Sequence, residues 1–159
     1  MKPLMLLFLL FPFFVNAEHI TYQLLEANGA KALFAQSQGQ MAKVMYLTDP
    51  ELKAYSNLVE KWESTYFAWE KVRESLLPIY NKRFSEDELR ELVSFYKQNK
   101  PKAFLNTATG KKFTALLPEI NREFTLSGHR YMGEVMPMLY KMVGDTSKRL
   151  ASDVKTDGI

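Results

Sequence analysis

The stretch that decides the fold is FSEDELRELVSFY, residues 84–96. Ser85 is a residue type favoured at a helix N-cap, and Glu88, three places on, can reach back to the backbone N–H of Ser85. Phe84 and Leu89 stand at the two positions of a hydrophobic staple, which fixes how the chain enters the helix. Further apolar residues then follow on one face of the helix, at Leu92, Val93 and Tyr96. This pattern predicts an amphipathic α-helix that packs against a core.

The segment before this helix carries the strongest periodic pattern in the chain. From Leu52 to Tyr80, large apolar and aromatic residues recur in steps of three and four. Such spacing is typical of one long helix packed against another helix. Asp49 followed by Pro50 is a typical helix start, and Pro78 predicts a stop or a kink near the end.

The N-terminal part of the chain also has helical spacing. It predicts one helix over residues 20–27 and another over residues 30–47. Gly29 fits the stop of the first helix, and Gly39 is a weak point within the second.

After the capped helix, we expect residues 101–106 to form a connection that places Phe104 and Leu105 on the core. A last long helix begins at about residue 107. Pro118, Gly128 and Pro137 should kink or interrupt it.

The fold prediction is therefore an all-α protein, a single compact bundle of about five helices with the last one kinked. It assigns residues 18–143 to one helical domain and residues 144–159 to a frayed polar tail.

Residues 1–17 resemble a secretory signal peptide. Lys2 precedes an apolar run over residues 4–14, and Val15, Asn16 and Ala17 form a small-residue cleavage site. The run is too short to span a bilayer stably, and no later run is longer. We therefore expect a bacterial chain that is cleaved near Ala17 and is periplasmic or secreted, with no integral membrane span.

Composition excludes several classes of function. The chain has 159 residues and no cysteine, which excludes thiol catalysis, redox exchange and cysteine-ligated metals. Lys and Arg number 21 and Asp and Glu 18, so the charge balance gives no case for a nucleic-acid partner.

Several motifs together resemble the bacterial family known as domain of unknown function 2059. They are Leu24 to Ala30 (LLEANGA), Trp69-Glu70, Tyr80, the capped helix with Phe95-Tyr96, Thr107 with Gly110-Lys111-Lys112, and Pro118. The resemblance covers most of the mature chain, and it implies an exported all-helical domain with no established activity. The chain departs from the family in the connection after Tyr96, where Ala108 and Thr109 stand in place of a proline before Gly110.

No catalytic, metal or cofactor site is predicted. His19 and His129 are the only histidines, and no metal-binding or nucleophile motif surrounds either. The carboxylates of residues 86–91 lie in the first turns of a helix, where they favour the helix dipole. We expect a protein that is not an enzyme.

Arg73 occupies one position of the periodic pattern from Leu52 to Tyr80, which we call the seam. Its neighbours in the seam are large apolar residues. If buried, its guanidinium would need a carboxylate, and Glu88, Glu119 and Glu123 are the candidates. Alternatively the seam shifts to Val72, and Arg73 extends along the surface. A functional interpretation makes it an anion-binding residue in a cleft.

A basic run surrounds the predicted turn at Gly110. It comprises Lys97, Lys100, Lys102, Lys111 and Lys112. Backbone N–H groups at the helix start could hold an anion, and the lysines would attract an anionic component of the cell envelope. The alternative is a solvated loop.

Four aromatic residues are candidates for apolar contact with a ligand or partner: Phe67, Tyr80, Phe84 and Tyr96. The leading hypothesis is a non-enzymatic periplasmic module that binds an unidentified protein or cell-envelope component, or forms a homodimer through an exposed apolar face. The alternative is a carrier of a small apolar or lipid-like molecule, which would need a cavity in the bundle.

Overall fold

The computed structural model describes residues 12–37, 39–98 and 101–156. Within these residues the chain forms eight α-helices and one 3-10 helix, with no strand. The predicted all-α class is confirmed, but about five helices was too few. The helices are α1 (Pro12–Ala27), α2 (Ala30–Ser37), α3 (Gln40–Thr48), the 3-10 helix (Pro50–Tyr55), α4 (Ser56–Tyr66), α5 (Trp69–Asn81), α6 (Glu86–Gln98), α7 (Pro101–Leu105) and α8 (Ala108–Thr156).

The buried apolar side chains form two clusters. The main core lies among α1, α5, α6, α7 and the first part of α8, and the second core lies among α3, the 3-10 helix, α4 and a later part of α8. The largest side chain of the second core is Trp62, whose indole N–H donates to the carbonyl of Val135 at 2.7 Å. The main core comprises Ile20, Leu24, Leu25, Trp69, Leu76, Leu77, Ile79, Tyr80, Phe84, Leu89, Leu92, Val93, Phe104, Phe113 and Ile120.

Helix α8 connects the two cores. Its 49 residues correspond to a length of about 70 Å, and it contacts α4, α5, α6 and α7. The expected interruptions are absent, because the helix runs continuously through Pro118, Gly128 and Pro137. Both proline side chains are exposed, so their rings do not disturb the packed face of the helix. The kink that we expected at these residues stays a prediction.

The seam from Leu52 to Tyr80 is not one helix, and this prediction was wrong. The chain breaks between α4 and α5, where Ala68 adopts an extended conformation with φ −68° and ψ 140°. The hydroxyl of Tyr131 donates to the carbonyl of Tyr66, which is one of the free carbonyls at the end of α4. The break lets the first half of the seam pack in the second core and the second half in the main core.

The capping box that the sequence predicts is present at the start of α6. The carboxylate of Glu88 accepts the N–H of Ser85 at 2.8 Å, and the N–H of Glu88 donates to the hydroxyl of Ser85 at 3.3 Å. Phe84 and Leu89 are both buried in the main core, as a hydrophobic staple requires. The decisive stretch of sequence therefore folds as predicted.

Two glycines divide the N-terminal region. Gly29 has φ +84° between α1 and α2, and Gly39 has φ +75° between α2 and α3. Glycine adopts these left-handed conformations without a steric penalty. The predicted stop at Gly29 is confirmed, and the expected helix over residues 30–47 is two helices.

Part of the predicted signal segment, residues 1–11, lies outside the described residues, and α1 covers the rest of it. Among the helices that the structure does describe, none combines the length and the apolar character that crossing a membrane requires.

One expectation for the C-terminal half was wrong. Residues 101–105 form the short helix α7, in which Phe104 is buried but Leu105 is 44% exposed. Helix α8 continues to Thr156, and the hydroxyl of Ser147 lies 2.8 Å from that of Tyr55. The assignment of residues 144–159 to a frayed tail stays a prediction. Residues 157–159 of the predicted tail lie outside the described residues.

Replacing Ser85 with alanine should lower the free energy of unfolding by about 1 kcal/mol, because the N–H of Glu88 loses its acceptor. Urea denaturation measures this change. Ser94→Ala is the control, since Ser94 lies inside the same helix and its hydroxyl accepts only an exposed side-chain bond from Gln98. Equal stability of Ser85→Ala and the wild-type protein would show that the cap does not stabilise the fold.

Candidate functional site

The feature best suited to binding is a groove of about 490 Å³ between α2 and α3 on one side and α5 and α8 on the other. We call it the apolar groove. Most of its lining is apolar or aromatic. The lining residues are Phe34, Ser37, Gln40, Met41, Val44, Glu63, Phe67, Val72, Ser75, Leu76, Phe124, Thr125, Gly128, His129, Tyr131 and Met132.

The groove lies where the two cores meet. Phe34, Leu76 and Phe124 belong to the main core or pack against it, whereas Met41 and Met132 pack against the second core. The break between α4 and α5 turns the chain at this place, and the turn at Gly39 brings α3 beside it. Gly128 has no atom within 4 Å of the position that a Cβ would take, so open space begins there.

Phe67 is the one aromatic candidate that reaches the groove. It was selected because it departs from the periodic stripe, and the structure places it at the helix break, half-buried beside Trp62 and Tyr131. Among the other groove residues, the sequence analysis noted His129 as one of two histidines, Val72 as the alternative seam position and Gly128 as a kink. Helical spacing does not reveal which helices become neighbours, so it could not bring Met41 and Met132 together.

The other three aromatic candidates do not line the apolar groove. Tyr80 and Phe84 are buried in the main core, and half-buried Tyr96 packs against Phe113. Burial raises the pKa of the Tyr80 hydroxyl far above its usual value, and nearby Tyr96 adds to this effect. The expectation that these residues form an apolar contact surface is therefore wrong for Tyr80 and Phe84.

Polar side chains also line the groove: Ser37, Gln40, Glu63, Ser75, Thr125, His129 and Tyr131. Burial raises the pKa of Tyr131, so its hydroxyl stays protonated at neutral pH and donates to Tyr66. Glu63 accepts the backbone N–H of Gly39 at 3.0 Å. His129 is exposed and, among the described residues, makes no hydrogen bond or ion pair. The lining thus combines an apolar floor with isolated polar groups, an arrangement suited to binding.

Arg73 has none of the three partners that we considered. Glu88 pairs with Lys112, Glu119 with Arg83 and Glu123 with Arg130. The guanidinium of Arg73 instead stacks over the ring of Tyr22, with its central carbon 4.1 Å from the ring centre.

The partner of Arg73 is held in place by its own hydrogen bond. The hydroxyl of Tyr22 donates to Glu74 at 2.7 Å, and burial together with this bond raises the pKa of Tyr22 to about 12. The ring therefore stays neutral at physiological pH. The Arg73 Nε is buried and has no hydrogen-bond acceptor among the described residues. Arg73 thus joins α5 to α1 through a cation–π contact.

The basic run contains one lysine that is paired within the fold and others that are exposed. Lys112 is used within the fold, because its ammonium lies 2.8 Å and 2.9 Å from the two carboxylate oxygens of Glu88. It also stands over the ring of Phe84 at 5.2 Å. Lys97, Lys102 and Lys111 are exposed on three different helices, and Lys100 lies outside the described residues.

Gly110 serves close packing. Its backbone N–H is taken by the hydroxyl of Thr107 at 3.0 Å, which caps the start of α8. A Cβ at this position would lie 2.0 Å from the carbonyl oxygen of Phe104. Only glycine lets α7 and α8 approach this closely. The Gly110 N–H is used within the fold, and anion binding at this turn stays a prediction.

A second groove, between α5 and α8, is polar. It has a volume of about 700 Å³, and both acids and bases line it, among them Lys71, Glu74, Lys82, Arg83 and Glu134. In the part of the chain that the structure describes, no group of three or more histidine or acidic side chains is placed to hold a metal ion.

Comparison of the chain with known protein families, with curated proteins and with solved structures finds no match.

Replacing Gly110 with alanine should lower the free energy of unfolding by about 2 kcal/mol or more, because the added methyl group overlaps the backbone of Phe104. Gly128→Ala is the control within the same helix. It meets no atom, and alanine favours helix, so it should leave stability equal or up to about 1 kcal/mol higher. Chemical denaturation of both variants tests this. Equal stabilities of Gly110→Ala and Gly128→Ala would mean that α7 does not pack closely on α8.

The pair formed by Glu88 and Lys112 makes stability depend on pH. The bond to Lys112, with help from the N–H of Ser85, holds the pKa of Glu88 below its usual value of 4.5. The stabilisation is therefore complete above pH 4.5 and is lost as the pH falls through the lowered pKa. Wild-type protein should exceed Glu88→Gln in stability by up to about 1 kcal/mol at pH 7.

Denaturation of both proteins at a series of pH values measures this difference. It should shrink below pH 4.5, where Glu88 becomes protonated and resembles the glutamine of the variant. A difference that stays constant down to pH 2 would show that the charge of Glu88 does not contribute.

Proposed function

We propose that this protein is a non-enzymatic binding module of the bacterial cell envelope, and that it holds an apolar segment of a partner protein in the apolar groove. The observation that carries the proposal is the groove itself. It has a volume of about 490 Å³, and apolar side chains from both cores line it. Apolar recesses of this size commonly mark binding sites.

Exposed apolar residues extend this surface beyond the groove. Val44 lines the groove and is 56% exposed, and Leu47, three residues on, shares its face of α3 and is 84% exposed. Leu33 on α2 is 70% exposed and lies one turn before the groove residue Ser37. Contiguous exposed apolar surface is typical of protein contact sites. A second copy of the chain, forming a homodimer, is one partner that such a face could accept.

Location in the cell envelope is part of the proposal. It rests on the signal-like residues 1–17. Membership of the domain of unknown function 2059 family also stays a prediction.

A second candidate function is the transport of a small apolar or lipid-like molecule. The groove volume of about 490 Å³ favours it, because pockets for small ligands span about 300–1,000 Å³. Met41 and Met132 give the walls flexible side chains that adapt to ligands of different shape.

We propose no reaction for this site. In the described residues, the side chain of the groove's one histidine, His129, makes no hydrogen bond to a serine or threonine that it could activate or to a carboxylate that could orient it.

Replacing Gly128 with leucine should obstruct the groove and weaken binding, because the new side chain enters open space at its wall. The neutral dye Nile red, which becomes fluorescent in apolar surroundings, reports on occupancy. We expect wild-type protein to increase its fluorescence and Gly128→Leu to reduce that increase about tenfold. Gly133→Leu is the matched control, since Gly133 also meets no atom but lies outside the groove.

If both leucine variants bind Nile red as wild type does, the groove is not the binding site. The two candidate functions are separated by mass spectrometry of a solvent extract of the purified protein. A stoichiometric lipid-like molecule, lost in Gly128→Leu, would favour the carrier. An extract without one would favour the protein-binding module.

A further inference from the structure

An acidic cleft adjoins the apolar groove. It has a volume of about 570 Å³ and lies at the break between α4 and α5. It shares Glu63 and Phe67 with the groove, so the two form one continuous surface. The residues that line the acidic cleft are Gly39, Glu60, Glu63, Ser64, Phe67, Ala68, Trp69 and Glu70.

The charged side chains that line this surface are all acidic. Glu60, Glu63 and Glu70 line the cleft, and within the described residues none of them pairs with a lysine or arginine. Neither the cleft nor the groove has a lysine or arginine in its lining. The nearby Lys71 lines the polar groove instead.

This local acidity opposes the charge of the whole chain, which is +3. Three carboxylates beside an apolar floor therefore form a distinct patch, and like charges left together on a surface repel one another. A cationic partner would relieve that repulsion.

The cleft wall also contains an unsatisfied donor. Trp69 is 7% exposed, and its indole N–H is buried without an acceptor among the described residues. An unpaired buried N–H costs about 1–3 kcal/mol.

The type of partner segment follows from the fold. The described residues contain no strand, so they offer no sheet edge to which an extended peptide could add. An amphipathic helix that lays its apolar face into a groove is the recognition mode that suits an all-helical protein. Positive charges along one edge of that helix would complement the three glutamates.

We infer that the partner segment is a cationic amphipathic helix, with its apolar face in the apolar groove and its basic edge against Glu60, Glu63 and Glu70. This inference rests on the proposed function, and it adds the charge and the conformation of the partner. Apolar burial supplies affinity, and the carboxylates supply orientation and selectivity against acidic helices.

The test uses two fluorescently labelled peptides of about 18 residues, a length that supports a helix. They share the same leucine positions, and their polar face is lysine in one and glutamate in the other. Fluorescence anisotropy with the full chain should show that the lysine peptide binds at least about tenfold more tightly. Raising the salt concentration should weaken this binding, because exposed charges are screened.

Two variants locate the contact. A double variant in which the exposed Glu60 and Glu70 are both replaced by glutamine should bind the lysine peptide several-fold more weakly. Its binding of Nile red should be unchanged. The charge-matched control is Asp87→Asn with Glu91→Gln, both exposed on α6 and outside the cleft and groove. Gly128→Leu should abolish binding of the lysine peptide.

Every other outcome contradicts a specific part of the inference or of the proposed function. If the glutamate peptide binds equally well, or if Glu60→Gln with Glu70→Gln has no effect, the inferred partner charge is wrong and the proposed function stands. If the lysine peptide binds Gly128→Leu as well as wild type, it does not occupy the groove, and the inference fails. If neither peptide nor Nile red binds the wild-type protein, both the inference and the proposed function fail.

Discussion

The turn at Phe67 and Ala68 is the constraint on which the rest of the structure depends. A straight helix through this region would place all of its large aromatic residues along one line, where a single neighbouring helix could cover them. The turn divides them, so that Trp62 packs in one cluster and Trp69 in the other. Tyr131 secures the turn from α8 by its hydrogen bond to the carbonyl of Tyr66. Two cores on one long helix, with a groove between them, follow from this one break.

Local signals in the sequence were sufficient for much of the fold. The capping box at Ser85 and Glu88 involves residues three apart, and its geometry depends little on the rest of the chain. The positive φ of Gly29 follows from the steric freedom of glycine in the same local way. The break at Ala68 has no such signal, since alanine favours helix and neither glycine nor proline stands nearby. Tertiary packing overrides local preference at that residue.

The candidate site depends on contacts between residues far apart in the chain, which helical spacing alone does not specify. Arg73 illustrates the difficulty, because the sequence offered three acidic partners and the structure gives it the aromatic ring of Tyr22. Gly110 illustrates another, since a glycine at a helix start can serve an anion or a close helix contact. The distance to Phe104 shows that the close helix contact is present here. Phe67 departs from the periodic stripe and lines the groove, and its contact with a ligand or partner stays a prediction.

The wall of the groove formed by α2 and α3 is weakly anchored. No side chain of α2 is fully buried, and α3 buries only Met45. Gly29 and Gly39 bound α2 with backbone that other residues rarely adopt. Local opening costs less where few apolar contacts must break, so this pair of helices should detach at a smaller free energy than global unfolding. Amide hydrogens of α2 and α3 would then exchange with solvent faster than those of α6. A molecule that enters the groove would contact one mobile wall, formed by α2 and α3, and one rigid wall, formed by α5 and α8.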